Sequence, residues 1–135
     1  MNDRVRDAMV PAPAALAASD SAQEAGGRLV NPDVRAVLVC EDGRLTGVVT
    51  RKTLVQKVVA TGLDPASTRL AEIAEPPIHT IDADTSLEDA FHDLEERDLE
   101  RVPVVENGKL VGVLSRSGVS RRLAEDEPPP DPDET

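Results

Sequence analysis

AVLVCEDGRLTGVVTRKT, residues 36–53, returns at residues 101–118 as RVPVVENGKLVGVLSRSG. The offset of sixty-five residues extends well beyond these stretches and aligns Val5–Val58 with Leu70–Leu123 without a gap. Fourteen of the fifty-four pairs are identical, among them Val37/Val102, Val39/Val104, Gly43/Gly108, Gly47/Gly112 and Arg51/Arg116. A chance register would not keep turn glycines and apolar alternation in phase together. The chain is therefore an internal duplication, with too few copies for a solenoid.

Each copy carries two apolar runs joined by Asp42-Gly43 or Asn107-Gly108. These dipeptides favour the positive φ values of a type I′ turn, so both stretches read as β-hairpins. The near-continuous Val and Leu of the strands points to burial on both faces. Before the second hairpin, an extended run at Ile78–Ile81 leads to Thr85 as N-cap with Glu88 three residues on, and Leu87, Ala90, Phe91 and Leu94 form one apolar stripe. In the first copy Asp20 and Gln23 take the capping positions and Ala22, Ala25 and Leu29 the stripe. Gly26 and Gly27 weaken that helix by about 1 kcal/mol each relative to Ala.

After the first hairpin a helix is expected over Arg51–Thr61, with Leu54, Val55, Val58 and Val59 apolar and Gly62 as its stop. Its counterpart runs from Arg116 to about Ala124, with Gly118 in its first turn. The apolar surplus on the first of these helices marks an interface, and a homodimer with helices of both repeats at the contact is expected. The division read from sequence is repeat 1 at 4–62, a linker at 63–69, repeat 2 at 70–124, and an acidic, Pro-rich tail at 125–135 that cannot fold alone.

Composition narrows the function. Only one residue is aromatic, Phe91, so the core is built from Val, Leu, Ile and Ala, with little means of stacking bases on rings. A net charge of −11 argues against a nucleic-acid surface. No stretch approaches the roughly 18 apolar residues of a membrane span, and the N-terminus lacks a signal-peptide pattern, so a soluble, cytoplasmic protein is expected. Cys40 is the single cysteine and sits in an apolar strand, which leaves no disulfide and no cysteine cluster for zinc. His79 and His92 are the only histidines and lack metal-ligand spacing. No nucleophile–base constellation would be assembled by the repeat symmetry, so an enzyme is not expected.

Two tandem copies of this order, with VRDAM at Val5–Met9 opening the first and a Gly-apolar-apolar-Thr/Ser junction in each, resemble a pair of cystathionine-β-synthase (CBS) domains over about residues 4–124. The linker is similar to that of small stand-alone bacterial CBS-pair proteins, including the hypoxic-response type. The resemblance implies a mixed α/β (α+β) fold of two pseudo-twofold-related repeats packed sheet to sheet with helices outside. It also implies clefts between the repeats that hold AMP, ADP, ATP or another adenosyl ligand, and regulation of a partner enzyme or transporter.

In nucleotide-binding members of this family the junction runs Gly, apolar, any, Thr/Ser, any, any, Asp. The resemblance places the hydroxyl near phosphate and the Asp on the ribose. Here Thr50 and Ser115 supply the hydroxyls, whereas Thr53 and Gly118 stand where the Asp would be. Arg51 and Arg116 follow at helix starts, where free N–H groups favour an anion. His79 and Thr80 fall where family members line the cleft. The ligand-binding candidates are thus Thr50, Arg51, Thr53, His79, Thr80, Ser115 and Arg116, with no catalytic or metal-binding residue. Two functions stay open: a ligand-sensing regulatory module, or an interaction and dimerisation module whose clefts are degenerate.

Overall fold

A computed structural model describes residues 3–11 and 14–126. The chain forms two compact units, each a mixed α/β layer. Among the described residues, the first unit comprises 14–78 with 107–110, and the second comprises 3–11, 79–106 and 111–126.

The first unit contains β2 (Ala15–Ala17), α2 (Ala22–Leu29), β3 (Val37–Glu41), β4 (Arg44–Val49), α3 (Arg51–Leu54), which continues as a π-helix over Val55–Val59, and α4 (Leu70–Ile73). β2 runs parallel to β3, and β3 pairs antiparallel with β4. The second contains α1 (Val5–Ala8), β1 (Val10–Pro11), β5 (Ile81–Asp82), α5 (Leu87–Glu96), β6 (Arg101–Glu106), β7 (Lys109–Ser115) and α6 (Arg116–Asp126). β5 runs parallel to β6, β6 neighbours β7, and β1 pairs antiparallel with β7.

Both hairpin turns form as their dipeptides require. Asp42 and Gly43 have φ of 54° and 80°, and Asn107 and Gly108 have 53° and 80°. The strands alternate rather than being buried on both faces. Val37, Val39, Val49, Val102, Val104 and Leu114 point into the cores, while their neighbours are half-buried or exposed.

Two expected caps move by one residue. Ser21 and Ser86, not Asp20 and Thr85, accept the N3 amides of α2 and α5, from Glu24 and Asp89 at 3.1 and 3.2 Å. Asp20 instead accepts from the Ala17 amide with its side chain (2.8 Å). The extended run before α5 shrinks to Ile81–Asp82. The helix after the first hairpin widens to π geometry at Val55, where Ala60 N–H bonds Val55 O at 2.9 Å. Gly62 at φ 74° lies just past its end. α6 runs through Asp126, so Glu125 and Asp126 extend the helix rather than begin the tail; the rest of the expected tail, 127–135, lies outside the described residues.

The cores are aliphatic, and each is closed by a helix from the other repeat. Val5 of α1 is fully buried among Ile81, Leu87, Leu94, Val104 and Leu114, and Leu70 and Ile73 of α4 are buried among Leu16, Leu29, Val39 and Val49. The docking bonds repeat at the same offset. Val5 N–H donates to Thr85 O and Arg6 N–H to Ala83 O (2.8 and 3.0 Å); Leu70 N–H donates to Asp20 O and Ala71 N–H to Ala18 O (2.8 and 2.9 Å). Leu87 N–H to Asp3 O, and Ala22 N–H to Thr68 O, complete the two sets (3.0 and 2.8 Å).

Gly47 marks the tightest part of the α4 seam, since a Cβ there would stand 2.7 Å from Ala74 Cβ and 3.2 Å from Glu75 O. Gly27, exposed on α2, has nothing within 4 Å of such an atom. Gly47→Ala is therefore expected to lower stability by about 1–3 kcal/mol through overpacking, and Gly27→Ala to raise it by about 0.5–1 kcal/mol. Urea unfolding of the two variants checks both signs.

Candidate functional site

The two junctions share a backbone plan and differ in what closes it. β4 and β7 each deliver a hydroxyl residue to the start of a helix. At the first, Thr50 Oγ1 accepts from Thr53 N–H (3.2 Å), Thr53 Oγ1 accepts from Thr50 N–H (3.1 Å), and the two hydroxyls lie 3.0 Å apart. Thr53 is only 2% exposed. The residue standing in place of the ribose-binding Asp is thus consumed in a reciprocal cap. At the second, Ser115 Oγ accepts from Gly118 N–H at 3.0 Å, and among the described residues its own proton has no acceptor. Gly118 leaves that hydroxyl uncovered, and a Cβ at 118 would come within 2.7 Å of it.

The arginines are also occupied. Arg51 Nη2 donates to the carbonyls of Leu29 and Asn31 (2.6 and 2.9 Å), where the exposed carbonyls at the end of α2 attract a cation. Arg116 lies 3.6 Å from both Asp98 and Glu100, and its backbone N–H bonds Glu100 O at 2.7 Å. At the repeat offset Asp98 has an acidic counterpart in Asp33, whereas the counterpart of Glu100 is Arg35, which cannot hold a second arginine. Lys52 is exposed beside Arg51.

His79 and Thr80 are half-buried in the segment entering β5. His79 Nε2 lies 2.5 Å from Asp93 Oδ2 on α5, and Arg97 Nε donates to the other oxygen at 3.0 Å. The Arg97 hydrogen bond, with a smaller contribution from His79, holds the Asp93 carboxyl below the usual carboxylate range. The partners Asp93, Asp98 and Glu100 had no motif of their own in the sequence. Only the i, i+4 spacing of Asp93 and Arg97 was a readable signal. Cys40 is half-buried, and burial pushes its thiol up. Among the described residues no group of three or more His, Cys, Asp or Glu could hold a metal ion, and no helix is long and apolar enough to cross a membrane.

The sequence matches the CBS domain model twice, over residues 5–60 and 70–125. The chain belongs to the CBS domain family. It is 35% identical over 94 residues to hypoxic response protein 1 of Mycobacterium tuberculosis, a match spanning 69% of this chain and 66% of that protein, just under two thirds of its length. A crystal structure of Hypoxic Response Protein I with two coordinated zinc ions superposes with a TM-score of 0.72 at 29% identity, covering 88% of this chain and 98% of that one. The structure of CBSX2 in complex with AMP gives 0.70 at 30% identity, covering 90% and 96%. These matches agree with the mixed α/β CBS-pair fold that the resemblance implied.

A folded-state carboxyl held low contributes stability that is present above the unfolded carboxylate range, near pH 4, and is lost as pH falls through the lower folded value. Asp93→Asn is therefore expected to flatten the acid limb of stability against pH. Thermal melts of both proteins from neutral pH to about pH 3 check this.

Proposed function

We propose that this CBS-pair protein is a regulatory, non-catalytic module that senses an adenine nucleotide or related adenosyl anion at its Thr50 and Ser115 junctions. On this reading it acts as a homodimer on a partner enzyme or transporter. The observation that carries the reading is the hydroxyl retained at both junctions, each placed at a helix start and followed by an arginine. The likeness to CBSX2, whose structure holds AMP, supports the ligand class. The Ser115 hydroxyl, with its proton uncommitted among the described residues, is the better hydrogen-bond donor to a phosphate of the two.

A second reading, an interaction module without a ligand, is favoured by the burial of Thr53 and by the internal bonds of Arg51 and Arg116. The two are separated at position 53. Asp suits the third position of a helix as well as Thr does, because a carboxylate can accept the Thr50 N–H. Restoring a carboxylate there is gentler than at 118, where the new Cβ would crowd Ser115.

Sensing predicts weak, salt-sensitive binding of AMP, ADP or ATP, poor binding of adenosine, and a gain of about 1.5–3 kcal/mol in Thr53→Asp. Titration calorimetry on both proteins is the measurement. If neither binds an adenine nucleotide at about millimolar concentration, roughly 4 kcal/mol of affinity, the interaction module takes its place.

A further inference from the structure

We infer that Glu100 is an autoinhibitory group: its carboxylate occupies the start of α6, and an anion reaches the Ser115 junction only by displacing it. This rests on the sensing role proposed above and adds what regulates its second site. Every group involved belongs to the second unit.

A helix start attracts negative charge through its free N–H groups, yet α6 carries no acidic residue in its first turn. Glu100 supplies that charge from the segment before β6. Its Oε1 accepts from Ser117 N–H (3.4 Å), its Oε2 lies 3.6 Å from Arg116 Nε, and its backbone carbonyl accepts from Arg116 N–H at 2.7 Å. The short carbonyl bond keeps the carboxylate beside the first turn, while its own contacts there are long enough to be given up. Asp98 also faces Arg116 at 3.6 Å, but its side chain is 93% exposed against 56% for Glu100, and among the described residues it bonds no amide of α6.

The first junction is built differently. The counterpart of Glu100 is the exposed Arg35, and that of Ser117 is Lys52. Among the described residues no carboxylate bonds the start of α3, where Thr50 and Thr53 cap each other. At the second junction two carboxylates face one arginine, so the local charge is negative. The Ser115 hydroxyl is thus offered to a phosphate that the neighbouring acid repels. Displacing Glu100 from Ser117 relieves that repulsion and frees an amide for the ligand.

Titration with AMP, followed by NMR at the backbone amides of Ser117 and Gly118, reads the second junction directly. Glu100→Gln keeps the size of the side chain and removes its charge, and Glu100→Ala removes the acceptor as well. Arg35 at the equivalent place shows that the fold accepts a residue without a carboxylate, so circular dichroism should report unchanged helix in both. Each variant should bind AMP about fivefold more tightly than wild type at low salt, the difference shrinking as salt is added. The gain should vanish when Ser115→Ala is combined with Glu100→Gln. Glu95→Gln removes one exposed charge from α5, from a side chain with no bond to α6 among the described residues, and should bind as wild type does.

An affinity unchanged in Glu100→Gln and Glu100→Ala, a gain that survives Ser115→Ala, or an equal gain in Glu95→Gln overturns the autoinhibition. The sensing reading then stands on AMP binding by the wild type or by Thr53→Asp. Binding by none of these proteins at about millimolar AMP overturns the sensing reading and the autoinhibition together.

Discussion

Each core in this protein depends on a helix of four residues supplied by the other repeat. Val5 of α1 is wholly buried in the second unit, and Leu70 and Ile73 of α4 are buried in the first. A repeat of about sixty residues is marginal in interior by itself, and burying a Leu or Val side chain contributes about 1.5–3 kcal/mol. Removing α4 from the first unit would expose the apolar faces of β3 and α2. The three backbone bonds that seat each helix recur at one offset, so the exchange is part of the duplicated plan.

The exchange also fixes the strand ends from which the junctions emerge. Val48 bonds Glu75 in both directions, N–H to O at 2.8 Å and O to N–H at 3.0 Å, which ties the end of β4 to the segment after α4. Thr50 follows two residues later. Gly47 is needed because Ala74 and Glu75 come so close that a Cβ would collide. In the second unit Gly112 meets Met9 and Val10 in the same way, with a hypothetical Cβ 2.6 Å from the Met9 sulfur. Both junctions thus follow strands held by a close backbone approach at a glycine.

On this shared frame the two repeats have diverged in chemistry. The first closes its junction with a buried threonine pair and sends its arginine to carbonyls; the second leaves a serine hydroxyl open and pairs its arginine with carboxylates. The outer helical faces diverge more strongly, with valines in one where the other has Glu95, Ser120 and Ala124. Core positions accept mainly apolar exchange that keeps the total volume, whereas exposed positions are free to change charge and size. Buried pairs accordingly stay apolar, identical at Val37/Val102 and Val39/Val104 and exchanged at Leu16/Ile81 and Val49/Leu114.

The sequence by itself determined the duplication, the two type I′ hairpins, the apolar stripes of α2 and α5, and the family, because these rest on local rules. Asp-Gly and Asn-Gly need positive φ, helical spacing gathers Ala22, Ala25 and Leu29, and a constant offset is visible without coordinates. Only the tertiary structure decided which hydroxyl caps each helix, that Thr53 is buried in its cap, that Arg51 holds the end of α2, and that His79 meets Asp93 fourteen residues on. Several side chains compete for each of these bonds, and the winner is set by distances that arise only when distant segments pack. The same holds for the exchanged helices: four apolar-flanked residues carry no long periodic signal, and their burial comes from a sheet formed by the other half of the chain.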